Sequence, residues 1–123
     1  MNNDKELTLD QIAENRRKVV ETLLTNPLKR DKIQLSLTDG GTKRCSIGLG
    51  LEALGFDMSS SRYDELYRTV NEGAADYMDF EVAVGYFDPD NDICEFMWNI
   101  NDEDDSTFAD VGYALAVRWG IDI

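Results

Sequence analysis

The sequence predicts a small α+β domain that is mostly helical, with one β-hairpin at about residues 33–47 packed among the helices. Three observations predict this class. Amphipathic helical patterns lie near both ends of the chain, one segment alternates apolar and polar side chains, and an Asp-Gly turn follows that segment. The 123 residues, of which 42% are hydrophobic, are enough to bury one core, so we expect a single domain.

The first predicted helix runs from Thr8 to about Thr25. The polar residues 1–6 before it are expected to be disordered. Thr8 and Gln11 have the spacing of a capping box, in which each side chain bonds the backbone N–H of the other residue. Asn26-Pro27 should end the helix, because proline disfavours a helical residue before it. The residues predicted to face inward are Ile12, Val19, Val20, Leu23 and Leu24.

A β-hairpin is predicted next. The segment Ile33–Leu37 alternates strictly, as expected for a half-buried strand. Asp39-Gly40 follows it, and both residue types tolerate the positive φ of a tight turn. The segment Lys43–Ile47 is therefore predicted to return antiparallel to the first strand.

A glycine-containing helix is predicted directly after this hairpin. Ile47, Leu51 and Leu54 share one helical face, and Gly55 is placed to end the helix. Gly48 and Gly50 lack the spacing of a phosphate-binding loop, and no P-loop lysine follows them. We expect these two glycines to allow close packing against the hairpin instead.

The sequence predicts the secondary structure of the middle of the chain less clearly. Ser61 and Asp64 have the spacing that opens a helix, which Gly73 would end. Residues 79–100 fit both an alternating strand pattern and a helical pattern, and periodicity leaves the choice between them open.

The last predicted element is a helix that begins after an acidic loop. Thr107 and Asp110 have capping-box spacing, and Asp104 and Asp105 place negative charge at the positive end of the helix dipole. Asn101-Asp102 is expected to shape the preceding turn by bonding nearby backbone groups. The core stripe predicted for this helix is Phe108, Val111, Leu115 and Trp119.

The net charge of −13 is distributed unevenly. Residues 1–62 carry nine acidic and ten basic side chains, whereas residues 63–123 carry sixteen acidic and two basic ones. A half this acidic repels the nucleic-acid backbone, so no direct nucleic-acid binding is expected. The basic run at residues 16–18 is expected to lie on a solvated helix face.

Residue types exclude several kinds of chemistry. The chain has no histidine and no pair of cysteines with zinc-binding spacing, which excludes the usual zinc sites and any catalytic triad with an imidazole base. A disulfide between Cys45 and Cys94 is one possibility, but reduced and buried thiols are expected in a cytoplasmic chain. No cofactor is predicted. Paired carboxylates could act as general acid and base, but no pair stands out.

Two stretches have acidic or amide side chains at alternate positions, as at the start of a calcium-binding loop. The candidate ligands of the first are Asp88, Asp90 and Asp92. In that stretch Ile93 stands where the loop needs glycine and Asn99 where it needs glutamate. The second stretch begins at Asn99 and has Asp104 at the glycine position. Neither stretch fits specific calcium binding, although clustered carboxylates can attract cations adventitiously.

Two motifs resemble a family of small, uncharacterised bacterial and phage proteins. The first is Asp39-Gly40 with the segment Cys45–Leu49, and the second is Asn101-Asp102 with the segment Thr107–Val111. This sequence departs from the family pattern at several positions: for example, Ser46 stands where the family has a second cysteine, and Tyr113 stands where it usually has an aspartate. The resemblance implies an α+β fold and short helices on either side of Pro89, but it supplies no activity. The motif positions expected to be structural are Asp39, Gly40, Cys45, Gly48, Asn101, Asp102, Thr107, Phe108 and Asp110.

The leading functional hypothesis is a non-enzymatic interaction protein of phage or mobile-element type. Its acidic half would bind a basic protein surface, as an accessory or inhibitor protein or as a mimic of DNA. The candidate contact residues are Asp102, Glu103, Asp104 and Asp105. One alternative is a carboxylate-based cation-binding or hydrolytic protein, and another is a domain adapted to high salt. No apolar run spans a membrane, so we expect a cytoplasmic protein of a bacterial cell or an infected host.

Overall fold

The computed structural model describes residues 7–34, 37–38, 42–56, 58, 77–85 and 93–123. This part of the chain forms a small, mostly helical α+β fold, so the predicted class is confirmed. The elements in chain order are α1 (Leu9–Thr25), β1 (Asp31–Lys32), β2 (Lys43–Arg44), α2 (Ser46–Ala53), α3 (Tyr77–Ala83), α4 (Ile93–Asn101) and α5 (Phe108–Trp119). The helix predicted to open at Ser61 lies outside the described residues.

Helix α1 has the predicted start and end. Thr8 and Gln11 form the reciprocal capping box, with N–H···O distances of 2.8 and 3.0 Å. Asn26 then adopts the left-handed conformation at φ 45° and donates its N–H to the carbonyl of Thr22. The helix packs mainly against α5 and α2. Its buried residues are Ile12, Val19, Val20 and Leu23, while Leu24 is partly buried.

The predicted antiparallel hairpin is wrong. β1 and β2 have only two residues each and pair in parallel, with Asp31 opposite Lys43 and Lys32 opposite Arg44. After Lys32, the N–H of Ile33 still donates to the carbonyl of Arg44 at 2.9 Å, and Thr38 makes an antiparallel bridge to Arg44. Asp39 and Gly40, the predicted turn residues, lie outside the described residues.

The buried side chain of Arg44 accounts for this difference. Its guanidinium donates to the hydroxyl of Thr38 at 2.8 Å and to Glu52 at 3.2 Å, and only 1% of the residue is exposed. A buried guanidinium must have its donors satisfied, and the side chains of Thr38 and Glu52 supply the acceptors that hold these segments around Arg44. Regular alternation in the sequence contained no sign of this requirement.

Helix α2 begins immediately after β2, so Ile47 is helical and not part of a returning strand. Cys45 is the N-cap, and its sulfur accepts the N–H of Gly48 at 3.3 Å. A Cβ on Gly48 would lie 2.0 Å from the carbonyl oxygen of Leu37. The expected close approach to the preceding segment is therefore confirmed at Gly48 but not at Gly50, where a Cβ would meet Phe80 of α3 at 2.8 Å.

The short helices predicted around Pro89 are confirmed as α3 and α4, although Pro89 itself lies outside the described residues. Helix α5 follows α4 and has the predicted capping box. One core cluster joins the helices. Its fully buried members include Val19, Val20, Leu37, Ile47, Leu49, Leu51, Phe80, Met97, Val111 and Leu115.

Candidate interaction surface

The four candidate contact residues lie together in the connection between α4 and α5. We call Asp102–Asp105 the acidic loop. Glu103, Asp104 and Asp105 are exposed, and Asp102 is partly buried. The loop precedes the N-terminus of α5, where the helix dipole stabilises negative charge.

Two side chains from the segment after α1 hold the backbone of this loop. The Lys32 ammonium group donates to the carbonyl oxygens of Glu103 (2.8 Å) and Ser106 (2.7 Å), and to the Ser106 hydroxyl (2.8 Å). The Gln34 amide donates to the carbonyl of Asp102 (2.7 Å) and to the Asp104 carboxylate (3.2 Å). These bonds to distant residues fix the conformation from which the carboxylates project.

Asn101 anchors the start of the acidic loop. It is fully buried, its side-chain oxygen accepts the backbone N–H of Ser46 at 2.9 Å, and its Nδ2 donates to the carbonyl of Ile33 at 3.0 Å. We expected bonds to nearby backbone groups. For Asn101 the bonds differ from this expectation: its Nδ2 donates locally to the side-chain carboxylate of Asp102, and its two bonds to backbone groups join segments that are far apart in the sequence.

The other end of the loop is fixed by the cap of α5. The Thr107 hydroxyl accepts the N–H of Asp110 at 3.2 Å, and the Asp110 carboxylate accepts the N–H of Thr107 at 2.8 Å. Phe108, the next residue, is buried in the core. Asp110 is thus a capping residue, whose carboxylate is already hydrogen bonded.

The exposed carboxylates of the loop have no cationic partner among the described residues. Glu103 and Asp105 make no side-chain hydrogen bond or ion pair there, and Asp104 bonds the neutral amide of Gln34. The ammonium of Lys32 bonds backbone carbonyls and a hydroxyl, not these carboxylates. Three successive carboxylates therefore face solvent on a fixed backbone.

The second calcium-loop candidate does not have the geometry of a calcium loop. Asn99 and Asn101 belong to α4, and the side-chain oxygen of Asn101 is already bonded to Ser46. The described residues contain no group of three or more acidic, cysteine or histidine side chains placed to hold a metal ion. The first candidate set, Asp88, Asp90 and Asp92, lies outside the described residues.

Both cysteines are free and buried, as expected. Burial is the main cause that raises the pKa of the Cys45 thiol to about 11, and the charge of Asp102 acts in the same direction. The thiol is therefore protonated at neutral pH. It serves as the N-cap of α2 and is a poor nucleophile in this state.

Sequence reasoning missed the residues that support the acidic loop from outside it. Lys32 precedes the predicted strand Ile33–Leu37 and Gln34 lies within it, and neither residue type gives a sign of a partner about 70 positions away. It also missed the cluster in which Arg30 and Arg44 both bond the carboxylate of Glu52. Here the hydrogen bond to Glu52 is the main cause that raises the pKa of Arg30.

The basic run at residues 16–18 is only in part a solvated face. Arg17 and Lys18 are exposed, but Arg16 is partly buried and donates to the carbonyls of Val84 (2.7 Å) and Gly85 (3.2 Å). These carbonyls lie just after the end of α3, so Arg16 satisfies acceptors that a helix end leaves open. Burial lowers the pKa of its guanidinium from the ordinary value.

Comparisons with protein-family models, with curated proteins and with solved structures give no match. Within the described part of the chain, no helix combines the length and the apolar composition needed to cross a membrane.

Proposed function

We propose that this protein is a non-enzymatic interaction protein whose acidic loop binds a basic surface of another protein. The observation that supports the proposal is the set of three exposed carboxylates, at Glu103, Asp104 and Asp105, on a backbone held by Lys32 and Gln34. No cation within the described residues neutralises them.

Fixed charges favour association in two ways. A loop that is already ordered loses less conformational entropy when it binds than a mobile loop does. An acidic site also attracts a basic partner over distances of the order of the Debye length, about 8 Å at physiological salt, which raises the association rate. The partner should therefore bind faster at low ionic strength.

The class of partner follows from the same charges. A protein surface that binds nucleic-acid phosphates carries lysine and arginine side chains, and these would equally meet the carboxylates of the acidic loop. The resemblance to bacterial and phage proteins extends the proposal to an accessory or inhibitor protein of a mobile element. In that role the acidic loop would compete with DNA for its partner.

Affinity capture with matched variants tests the proposal. The loop variant Glu103→Gln/Asp104→Asn/Asp105→Asn loses three exposed charges, and Asp102 is left intact because Asn101 bonds it. The control variant Glu14→Gln/Glu21→Gln/Asp122→Asn loses three exposed charges elsewhere. We expect a basic protein to be captured by the unmodified chain and by the control variant, but not by the loop variant.

Two further measurements sharpen this experiment. Raising the salt concentration should weaken capture, and duplex DNA should displace a partner that binds nucleic acid. Capture that survives in the loop variant would contradict the proposal. If no partner is found and stability rises steeply with salt in both variants, the protein is a salt-adapted domain instead.

A further inference from the structure

A groove of about 290 Å³ lies between the first half of α1 and the end of α5. Its apolar lining includes Leu9, Ile12, Trp119 and Ile121. Leu9 is 77% exposed at the groove, so its side chain is accessible to an occupant. The groove is separate from the acidic loop, because the loop precedes the N-terminus of α5, about 18 Å away along a 12-residue helix.

Two arginines add positive charge to this apolar groove. The guanidinium of Arg16 lies over the ring of Trp119, 5.2 Å from its centroid, and uses its Nε and Nη2 atoms on the carbonyls of Val84 and Gly85. Arg17 also lines the groove and is exposed, and it makes no hydrogen bond or ion pair with any described residue. Within the described part of the chain, the guanidinium of Arg17 thus has no partner beside this apolar cavity.

The lining indicates the chemistry of an occupant. Leu9, Ile12 and Trp119 favour a hydrocarbon group, and Arg17 favours an anion, because a guanidinium binds a carboxylate through two parallel hydrogen bonds. The volume is at the lower end of the range for ligand sites, which suits a small molecule better than a chain segment.

We propose that this groove binds a small aliphatic carboxylate, with its hydrocarbon chain against Leu9, Ile12 and Trp119 and its carboxylate on Arg17. Arg16 positions the floor of the site by holding the Trp119 ring and the end of α3 together. This inference does not depend on the acidic loop or on the proposed protein partner.

Titration with octanoate tests the inference. The chain has two tryptophans, so the variant Trp98→Phe leaves Trp119 as the only source of tryptophan fluorescence. We expect a saturable change in that fluorescence and a matching calorimetric isotherm. Two probes divide the ligand into its parts: 1-octanol has the hydrocarbon chain without the charge, and acetate has the charge without the chain. Both should bind at least about tenfold more weakly than octanoate.

Neighbouring substitutions provide the control. Arg17→Gln should weaken octanoate binding about tenfold or more, since a hydrogen bond to a charged group contributes about 1.5–3 kcal/mol and 1.4 kcal/mol is a factor of ten. Lys18→Gln makes the same change in net charge one residue away, outside the groove, and should change binding less than twofold. Urea unfolding verifies that both variants fold.

Three results would overturn the inference. The first is the absence of a saturable octanoate signal, and the second is equal affinity for octanoate and 1-octanol. The third is an equal loss of octanoate affinity in Arg17→Gln and Lys18→Gln. A negative result in these titrations would not change the outcome of the capture experiment on the acidic loop. The two proposals are therefore tested independently.

Discussion

The side-chain oxygen of Asn101 accepts the backbone N–H of Ser46 at 2.9 Å, and this bond joins the end of α4 to the start of α2. The same amide group donates to the carbonyl of Ile33 at 3.0 Å. One fully buried side chain thereby satisfies a helix N-terminal N–H and a carbonyl of the segment after β1. Asn101 thus ties the start of the acidic loop to the core.

Replacing Asn101 with alanine should destabilise the protein by about 2–3 kcal/mol. The substitution leaves the Ser46 N–H buried without an acceptor and also removes the donor to Ile33, and each unsatisfied buried group costs about 1–3 kcal/mol. Urea unfolding measures the loss. The control is Asn99→Ala, an exposed position on the same helix, which should change stability by less than about 0.5 kcal/mol. Equal losses in the two variants would show that the Asn101 bonds contribute little.

Helix ends were well predicted from the sequence, because their signals are local. The capping boxes at Thr8 and Thr107 need only two residues three positions apart, and both exist in the structure. The β-hairpin at 33–47 was wrong, because strand pairing depends on distant partners. The burial of Arg44 and its bonds to Thr38 and Glu52 decide the path of that segment, and no short pattern encodes them.

The substitution Gly48→Ala should destabilise the protein by at least about 2 kcal/mol. The new Cβ would lie 2.0 Å from the carbonyl oxygen of Leu37, so one of two backbone segments must move. This cost exceeds the gain of about 1 kcal/mol that alanine gives over glycine in a helix.

Gly50→Ala in the same helix is the comparison. Its Cβ would meet the edge of the Phe80 ring at 2.8 Å, and a side chain can shift where a backbone carbonyl cannot. The loss in free energy of unfolding should therefore be smaller than for Gly48→Ala. A larger loss at Gly50 would contradict the assignment of Gly48 as the tightest contact of α2.

The variant Arg16→Lys should lose about 1–3 kcal/mol although it keeps the positive charge. Lysine cannot reproduce the fork that donates to Val84 and Gly85 while it lies over Trp119. Chemical unfolding compared with Arg17→Lys provides the measurement, because Arg17 has no bond within the described residues. If both variants unfold at the same denaturant concentration, the contacts of Arg16 with the end of α3 do not stabilise the fold.

Cys45 should make the stability of the protein fall between pH 9 and pH 11. Its thiol has an ordinary pKa of 9.0 and a pKa of about 11 in the folded chain. In this window the unfolded chain loses the proton while the folded chain keeps it, so the free energy of unfolding decreases by up to about 1.4 kcal/mol per pH unit. Below pH 9 this contribution is fully present and does not vary.

The variant Cys45→Ser isolates this effect. Serine is a good N-cap for α2 and does not titrate in the window, whereas all other groups remain the same in both chains. The difference in unfolding free energy between the two chains should be constant below pH 9, and above it the unmodified chain should lose stability relative to the serine variant. A difference that is independent of pH would show that the Cys45 thiol ionises normally in the folded protein.

The shape of the acidic loop, unlike its composition, could not be derived from the sequence. The sequence shows that positions 102–105 are all acidic, and this run of charge predicts a contact surface. Whether these residues form a fixed surface depends on Lys32 and Gln34, which lie about 70 positions earlier. This dependence can be tested directly at Lys32.

Replacing Lys32 with methionine should loosen the acidic loop without unfolding the core. The substitution keeps most of the hydrocarbon stem but removes the ammonium that binds the carbonyls of Glu103 and Ser106. Amide hydrogen exchange over residues 102–107 should become at least about fivefold faster, as expected for a loss of about 1 kcal/mol in local stability. Lys29→Met removes a charge from an exposed position that makes no side-chain hydrogen bond or ion pair with the described residues, and exchange over residues 102–107 should stay unchanged. Equal acceleration in the two variants would mean that net charge, not the Lys32 bonds, controls the order of the loop.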